Sequence, residues 1–295
     1  MSDSKSRLPP IITPTLCMEF NVTSLPLAAT GVPGVVSFSP HTAAYLHVPK
    51  TGSGMQNLFF RASCRLLVEP PFLEPHEVKR LEWKHCPKVM RRHGFGDGHA
   101  PAKPRLDFQT KRSGLVTMLR RPWRRALSGF FHKLHDCREL QIRYGILEGG
   151  RRARVGDPTH IRAAEALFYA NASEEAVLEY AKCVSACATN MLTGYECGDT
   201  HAPANLDRAL QLLPRLAFVG ITEEWNTTLE TFARRFAVPL VARDYATMRR
   251  QRYFEQFPSA PRVASQLMRT SFVDDALYEK AVELLHERRG GNALR

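Results

Sequence analysis

Three short apolar runs stand out from a mixed background. Residues 43–48 (Ala-Ala-Tyr-Leu-His-Val), Leu115–Leu119 and Leu216–Ile221 are each too short for a helix and lack polar alternation, so each reads as a strand covered on both faces. Between and after them, apolar residues recur at helical spacing. A helix is expected over 53–67, with Leu58, Phe59, Ala62 and Leu66 on one stripe, and a further candidate over 75–84. Pro122 falls where a first helical turn tolerates proline, and the spacing continues through Leu134. Two helices are expected within 158–193, one from Glu223 to Phe236 and a last amphipathic one from Asp274 to Arg288. The alternation predicts an α/β fold with a central parallel sheet flanked by helices. Residues 1–40, rich in Pro, Ser and Thr, read as an extended or disordered lead-in, and 41–295 as a single domain.

The first run ends in Pro49-Lys50-Thr51-Gly52-Ser53-Gly54 before a helix. Strand, tight turn and helix in that order aim several backbone N–H groups at one point, where the helix dipole adds positive charge. Lys50 within the turn supplies a compact cation. Two readings stay open from these residues, an anion cradle or an ordinary turn with Gly52 for freedom and Ser53 as N-cap. A nucleotide-triphosphate loop is disfavoured. That motif places Lys after its last glycine, whereas Lys50 precedes Gly52 and no Gly-Lys-Ser/Thr occurs in the chain.

The second run leads into Arg120-Arg121-Pro122-Trp123-Arg124-Arg125-Ala126-Leu127-Ser128. Arg120 sits at the carboxyl end of a strand, where open α/β sheets bind ligands. If Arg125 and Ser128 share a helical face, they and Arg120 can surround one phosphate; a solvated basic helix start is the alternative. The third run leads into Thr222-Glu223-Glu224, which reads as helix capping, a Thr N-cap followed by acidic residues.

The formal charge of +12 and a pI near 9.6 change the picture by pointing to a polyanionic partner: nucleic acid, anionic membrane, acidic glycan or a phosphorylated cofactor. The basic residues are spread as pairs, such as Arg91-Arg92 and Arg249-Arg250, not as one tail. No run of about twenty apolar residues occurs and the N-terminus has no basic-then-apolar leader, so any membrane anchor is expected outside this chain. Seven widely spaced cysteines do not form a disulfide scaffold. Cys183, Cys187, Cys197 and His201 form a C-x3-C-x9-C-x3-H string that matches no common zinc module, with Cys183 and Cys187 expected on one helix face. A disulfide closing the Cys187–Cys197 loop is preferred if the compartment is oxidising. The sequons at Asn21, Asn171 and Asn226 lean towards secretion.

Together, Pro49–Ser53, Leu119-Arg120-x-Pro122-x-x-Arg125-x-x-Ser128 and Val219-Gly220-Ile221-Thr222-Glu223 resemble, in order and spacing, the motifs of sulfotransferases. The likeness is to the Golgi carbohydrate type, including heparan sulfate 2-O-sulfotransferases. Asp275-Ala276-Leu277-Tyr278-Glu279 resembles the Asp-x-x-Leu-Tyr helix near the end of those domains, so the likeness spans roughly residues 43–290. The resemblance implies a P-loop-like α/β fold and transfer of a sulfuryl group from 3′-phosphoadenosine 5′-phosphosulfate (PAPS) to a hydroxyl of a glycan acceptor, an acidic one in keeping with the charge. It implies a Golgi or secretory location and no metal, and gives no reason to expect nucleic acid as a partner. Lys50, Thr51, Gly52, Ser53 and Gly54 would hold the 5′-phosphosulfate, with Lys50 also catalytic through charge on the leaving phosphate. Arg120 and Ser128 would hold the 3′-phosphate.

The base is sought in Asp97-Gly98-His99, which stands where relatives carry His-Gly-His. His99 fits the second histidine, with His93 and a carboxylate such as Glu77 or Asp97 as competitors. The chain departs from the family at Arg121, where an acidic residue is usual, and at Gly54, where Ser or Thr is frequent and whose loss shifts weight onto the Thr51 and Ser53 hydroxyls. Two other classes remain as alternatives, a non-catalytic basic module for nucleic acid or heparin-like polymers and a kinase-like phosphotransferase, the latter weakened by the position of Lys50.

Overall fold

The computed structural model describes residues 44–52, 54, 55, 58, 59, 115–144, 168–199, 205–236, 238, 240, 242–246 and 253–290. The helical candidate over 75–84, the lead-in, Ser53, His93, Asp97, His99, Glu77 and His201 lie outside the described residues.

Among the described residues the fold is mixed and mostly helical, with one parallel sheet of three strands. Strand β1 (Ala44–Leu46) pairs with β2 (Leu115–Leu119), and β2 with β3 (Phe218–Ile221), so β2 is central. β2 and β3 are buried along their whole length, as near-continuous apolar composition requires of strands covered on both faces. The polar exception in β2, Thr117, donates its hydroxyl to the Leu46 carbonyl at 2.9 Å and so adds a side-chain rung to the ladder. Gly220 in β3 faces Met118 in register, and a Cβ there would stand 2.4 Å from the Met118 sulfur and 2.5 Å from Thr228 Cγ2. Only glycine lets helix and neighbouring strand approach this closely.

After β2 comes α1 (Pro122–Phe130), then α2 (Arg138–Arg143), α3 (Glu174–Cys183), α4 (Cys187–Thr193) and α5 (Leu206–Leu212). β3 is followed by α6 (Trp225–Phe236), α7 (Ala242–Ala246), α8 (Tyr253–Gln256), α9 (Ala260–Met268) and α10 (Asp274–Gly290). Helices α1, α3 and α9 pack on one another, while α6 and α10 cover β3. Residues 54, 55, 58 and 59 are helical, with Met55, Leu58 and Phe59 buried, so the turn after β1 does enter a helix.

Several boundaries differ from the sequence expectation, each for a local reason. α1 stops at Phe130 although Leu134 continues its spacing. Lys133, Leu134 and Asp136 adopt positive φ, and the N–H groups of His132 and His135 both turn back onto the Gly129 carbonyl. Leu134 is buried through this turn instead of through a longer helix. Cys183 and Cys187 do not share a helix face, because the chain breaks between α3 and α4. Cys187 bonds Cys197, as preferred from the sequence, and Cys183 bonds Cys137, so the three cysteines of the zinc string are committed to disulfides.

The break between α3 and α4 is held by a buried ion pair. Asp274, at the start of α10, accepts hydrogen bonds from the Ala188 and Thr189 N–H groups at 2.8 and 2.9 Å, capping α4. The Arg125 guanidinium of α1 lies 3.6 Å from the same carboxylate and donates to the Val184 carbonyl. Burial pushes the Asp274 carboxyl above its ordinary range, against the pull of Arg125 and the two N–H donors. Both side chains are essentially removed from water. Asp274→Ala, which strands the guanidinium, should lower unfolding free energy by about 3–5 kcal/mol in urea denaturation, and pairing it with Arg125→Met should recover part of the loss. A loss under about 1 kcal/mol would mean the pair is solvated after all.

Candidate functional site

The three motif turns leave the carboxyl ends of three adjacent parallel strands, the edge where such sheets hold ligands. At the end of β1 the chain must turn sharply, and it does so with Lys50 at φ 63° and Gly52 at φ 111°. Gly52 suits that region; Lys50 is held there against the usual preference of a residue with a Cβ. Thr51 between them is fully buried and donates its hydroxyl to the Val48 carbonyl at 2.7 Å. That hydroxyl therefore closes the turn, and what Thr51 can offer a ligand is its main-chain N–H. Gly54 is half-buried at the start of the following helix.

Arg120, just past β2, donates from Nη1 to the Lys50 carbonyl at 3.1 Å. The structure thus joins the first arginine of the second motif to the backbone of the first motif at Lys50. Ser128 is half-buried two turns into α1. Arg125 is not at this edge. Its guanidinium is committed to Asp274 and Val184 in the interior, contrary to the expectation that it joins Arg120 and Ser128 around a phosphate. Arg121 and Arg124 are exposed at the start of α1, Arg121 over the Tyr278 ring at 5.3 Å and Arg124 over Trp123 at 5.2 Å.

Past β3, Thr222 does not cap a helix. Thr222–Glu224 form a 3-10 turn and α6 begins at Trp225. The Thr222 hydroxyl is directed at two carbonyls, Thr51 in the turn after β1 and Leu119 at the end of β2 (3.1 Å to the latter). A hydroxyl has one proton, so it serves one carbonyl at a time and ties the third turn to either the first or the second. Glu223 is set among the same turns, its Oε2 accepting from the Arg121 N–H at 3.2 Å and from the Tyr278 hydroxyl at 3.3 Å. Burial, and then the Glu223 charge, push the Tyr278 phenol up to about 12, so it stays a neutral donor at physiological pH.

The chain matches no protein-family model, no curated protein and no solved structure. The site therefore rests on its own geometry.

Chemically, the edge offers the Arg120 guanidinium, anchored on the Lys50 main-chain carbonyl, the Lys50 residue itself, and the main-chain N–H groups of a positive-φ turn and a helix start, a set that suits an anionic ligand. Reading Thr222-Glu223 as helix capping misses its part in the site. The available signal is topological, since residues that follow neighbouring parallel strands must meet at one edge, but strand order is not written in a local motif. Removing the bridging hydroxyl while keeping its shape tests this arrangement of turns. Thr222→Val should cost about 1–2 kcal/mol in denaturant titration, and Thr222→Ser should retain most of the stability. Equal stability for Val and wild type would mean the two carbonyls do not depend on Thr222.

Proposed function

We propose that the chain is a P-loop-like sulfotransferase that moves a sulfuryl group from PAPS to a hydroxyl of a glycan, by in-line displacement. The observation that carries this reading is the joining of Arg120 to the Lys50 turn at the carboxyl edge of adjacent parallel strands, with the Thr222 hydroxyl of the third motif within reach of a carbonyl from each of the other two. In this reading the ligand is charged at two places, one held by the Lys50–Gly54 turn and the other by Arg120 and Ser128.

When bound, PAPS would supply the activated sulfuryl group on a phosphosulfate. In this reading Lys50 and the N–H groups of Thr51 to Gly54 hold the 5′-phosphosulfate, and Lys50 stabilises charge on the departing phosphate. Arg120 and Ser128 hold the 3′-phosphate, and His99 takes the proton from the acceptor hydroxyl. Arg121 and Arg124, exposed at the same end of α1, extend the cationic surface towards an acidic acceptor. The Cys137–Cys183 and Cys187–Cys197 bonds support a Golgi or secretory location. So does the sequon at Asn171, which is exposed in the turn before α3.

Transfer of labelled sulfate from PAPS to a panel of glycans tests the reaction. Lys50→Ala and Arg120→Ala should each lower turnover by about a hundredfold or more. Activity unchanged by either substitution overturns the assigned roles. 3′,5′-ADP at a hundred times its dissociation constant should stabilise the fold by about 2.7 kcal/mol. Binding of heparin or nucleic acid with no response to 3′,5′-ADP would favour the basic polyanion module instead.

Expression behind a cleavable secretion signal tests the compartment. Peptide maps made without reductant should contain both cross-links, and Asn171→Gln should remove one glycan detectable by endoglycosidase. Free thiols at Cys137 and Cys197 in the secreted protein would count against it.

A further inference from the structure

The third motif contains a carboxylate that the proposed chemistry does not use. Glu223 is enclosed by three groups from two other elements: the Arg121 N–H at the end of β2, the Arg120 guanidinium beside it and the Tyr278 hydroxyl from α10. Its Oε2 accepts the two hydrogen bonds. Its Oε1 is shielded from solvent and accepts no hydrogen bond among the described residues, and it lies 3.9 Å from Arg120 Nε. A shielded carboxylate oxygen is costly unless a positive charge compensates it, and the guanidinium is the neighbour that does so. The Glu223 side chain is 16% exposed and that of Arg120 9%, so the attraction is less screened than between surface groups.

Arg120 is thereby held from two sides. Nη1 donates to the Lys50 carbonyl at 3.1 Å, and the Nε side faces Glu223. A loose arginine side chain samples many rotamers, and an anion would have to remove that disorder on binding. Fixing the side chain beforehand leaves more of the interaction as affinity.

We propose that Glu223, buttressed by Tyr278, is the positioning residue that presents Arg120 to the 3′-phosphate of the nucleotide. The proposal rests on the sulfotransferase reading for the identity of that phosphate, and on the Arg120–Glu223 geometry for the role itself. Glu223→Gln keeps an acceptor oxygen for the Arg121 N–H and the Tyr278 hydroxyl and removes the charge facing Arg120.

The test is calorimetric titration of the whole chain with 3′,5′-ADP and with adenosine 5′-monophosphate, which lacks the 3′-phosphate. Glu223→Gln should weaken 3′,5′-ADP about tenfold and the monophosphate by less than about twofold, and should have no further effect in an Arg120→Ala background. Tyr278→Phe, a second variant that removes only the phenol donor, should give the same selectivity at smaller amplitude. Equal weakening of both nucleotides, tighter binding in Glu223→Gln, or an effect that persists without Arg120 overturns the proposal.

A second readout needs no nucleotide. In the ligand-free protein, the Arg120 Nε–H signal in 15N NMR should exchange with water faster in Glu223→Gln than in wild type. If wild type binds neither nucleotide, the functional reading fails, and this exchange rate alone decides the positioning role. An unchanged rate overturns it.

Discussion

A buried pair of charges, Arg125 with Asp274, is the polar contact on which the described part of the fold most depends. Taking both groups out of water is costly, and the cost is offset only where every partner is in place. Here the partners come from three separate parts of the chain: α1, the break between α3 and α4, and the start of α10. The two disulfides bracket the same break, Cys183 ending α3 and Cys187 opening α4. The Cys137–Cys183 link spans 46 residues and would contribute about 4 kcal/mol by restricting the unfolded chain, on a loop-entropy view. Covalent and ionic constraints thus converge on one short segment, and it fixes where α1 and α10 stand beside the sheet.

How far this arrangement can be read from the amino-acid sequence depends on whether the signal is local. The strands are legible because a short apolar run bounded by turn residues fits little besides a buried strand; β2 matches its run, while β1 and β3 are trimmed at their ends. The start of α1 is legible through Pro122, and α10 through its long amphipathic pattern. Leu134 misleads because burial leaves the same periodic trace whether a helix or a left-handed turn delivers it. Helices α2, α5, α7, α8 and α9 are short, between four and nine residues, and their apolar patterns are too brief to separate from loops.

The site divides along the same line. Lys50 and Arg120 are marked by their places at strand ends, and the parallel order β1-β2-β3 puts those ends side by side. Thr51 draws notice for its hydroxyl, yet a tight turn between two positive-φ residues is closed from within, and the Val48 carbonyl takes that hydroxyl. Arg125 draws notice for its spacing from Ser128. Spacing places a side chain on a helical face but does not say whether that face meets water or a carboxylate from a distant helix. Asp274 carries no local sign of being Arg125's partner.

The contrast between Arg120 and Arg125 makes a physical point that motif counting conceals. Both belong to one ten-residue segment and both meet a carboxylate, but the two environments set different tasks. Arg125 sits where α1 packs inward, so its charge must be fully answered by protein, and Asp274 and Val184 answer it. Arg120 sits at the sheet edge, with Glu223 at a longer 3.9 Å and the Lys50 carbonyl as a main-chain acceptor. A guanidinium has five N–H donors in a fixed fork, so the Nη1 bond to the Lys50 carbonyl, with the Glu223 charge 3.9 Å from Nε, restricts how the fork is turned. The interior arginine stabilises the fold because its charge is matched where water cannot reach it. The edge arginine is instead oriented by its protein partners at the end of the sheet, where the proposed function has an anion arrive.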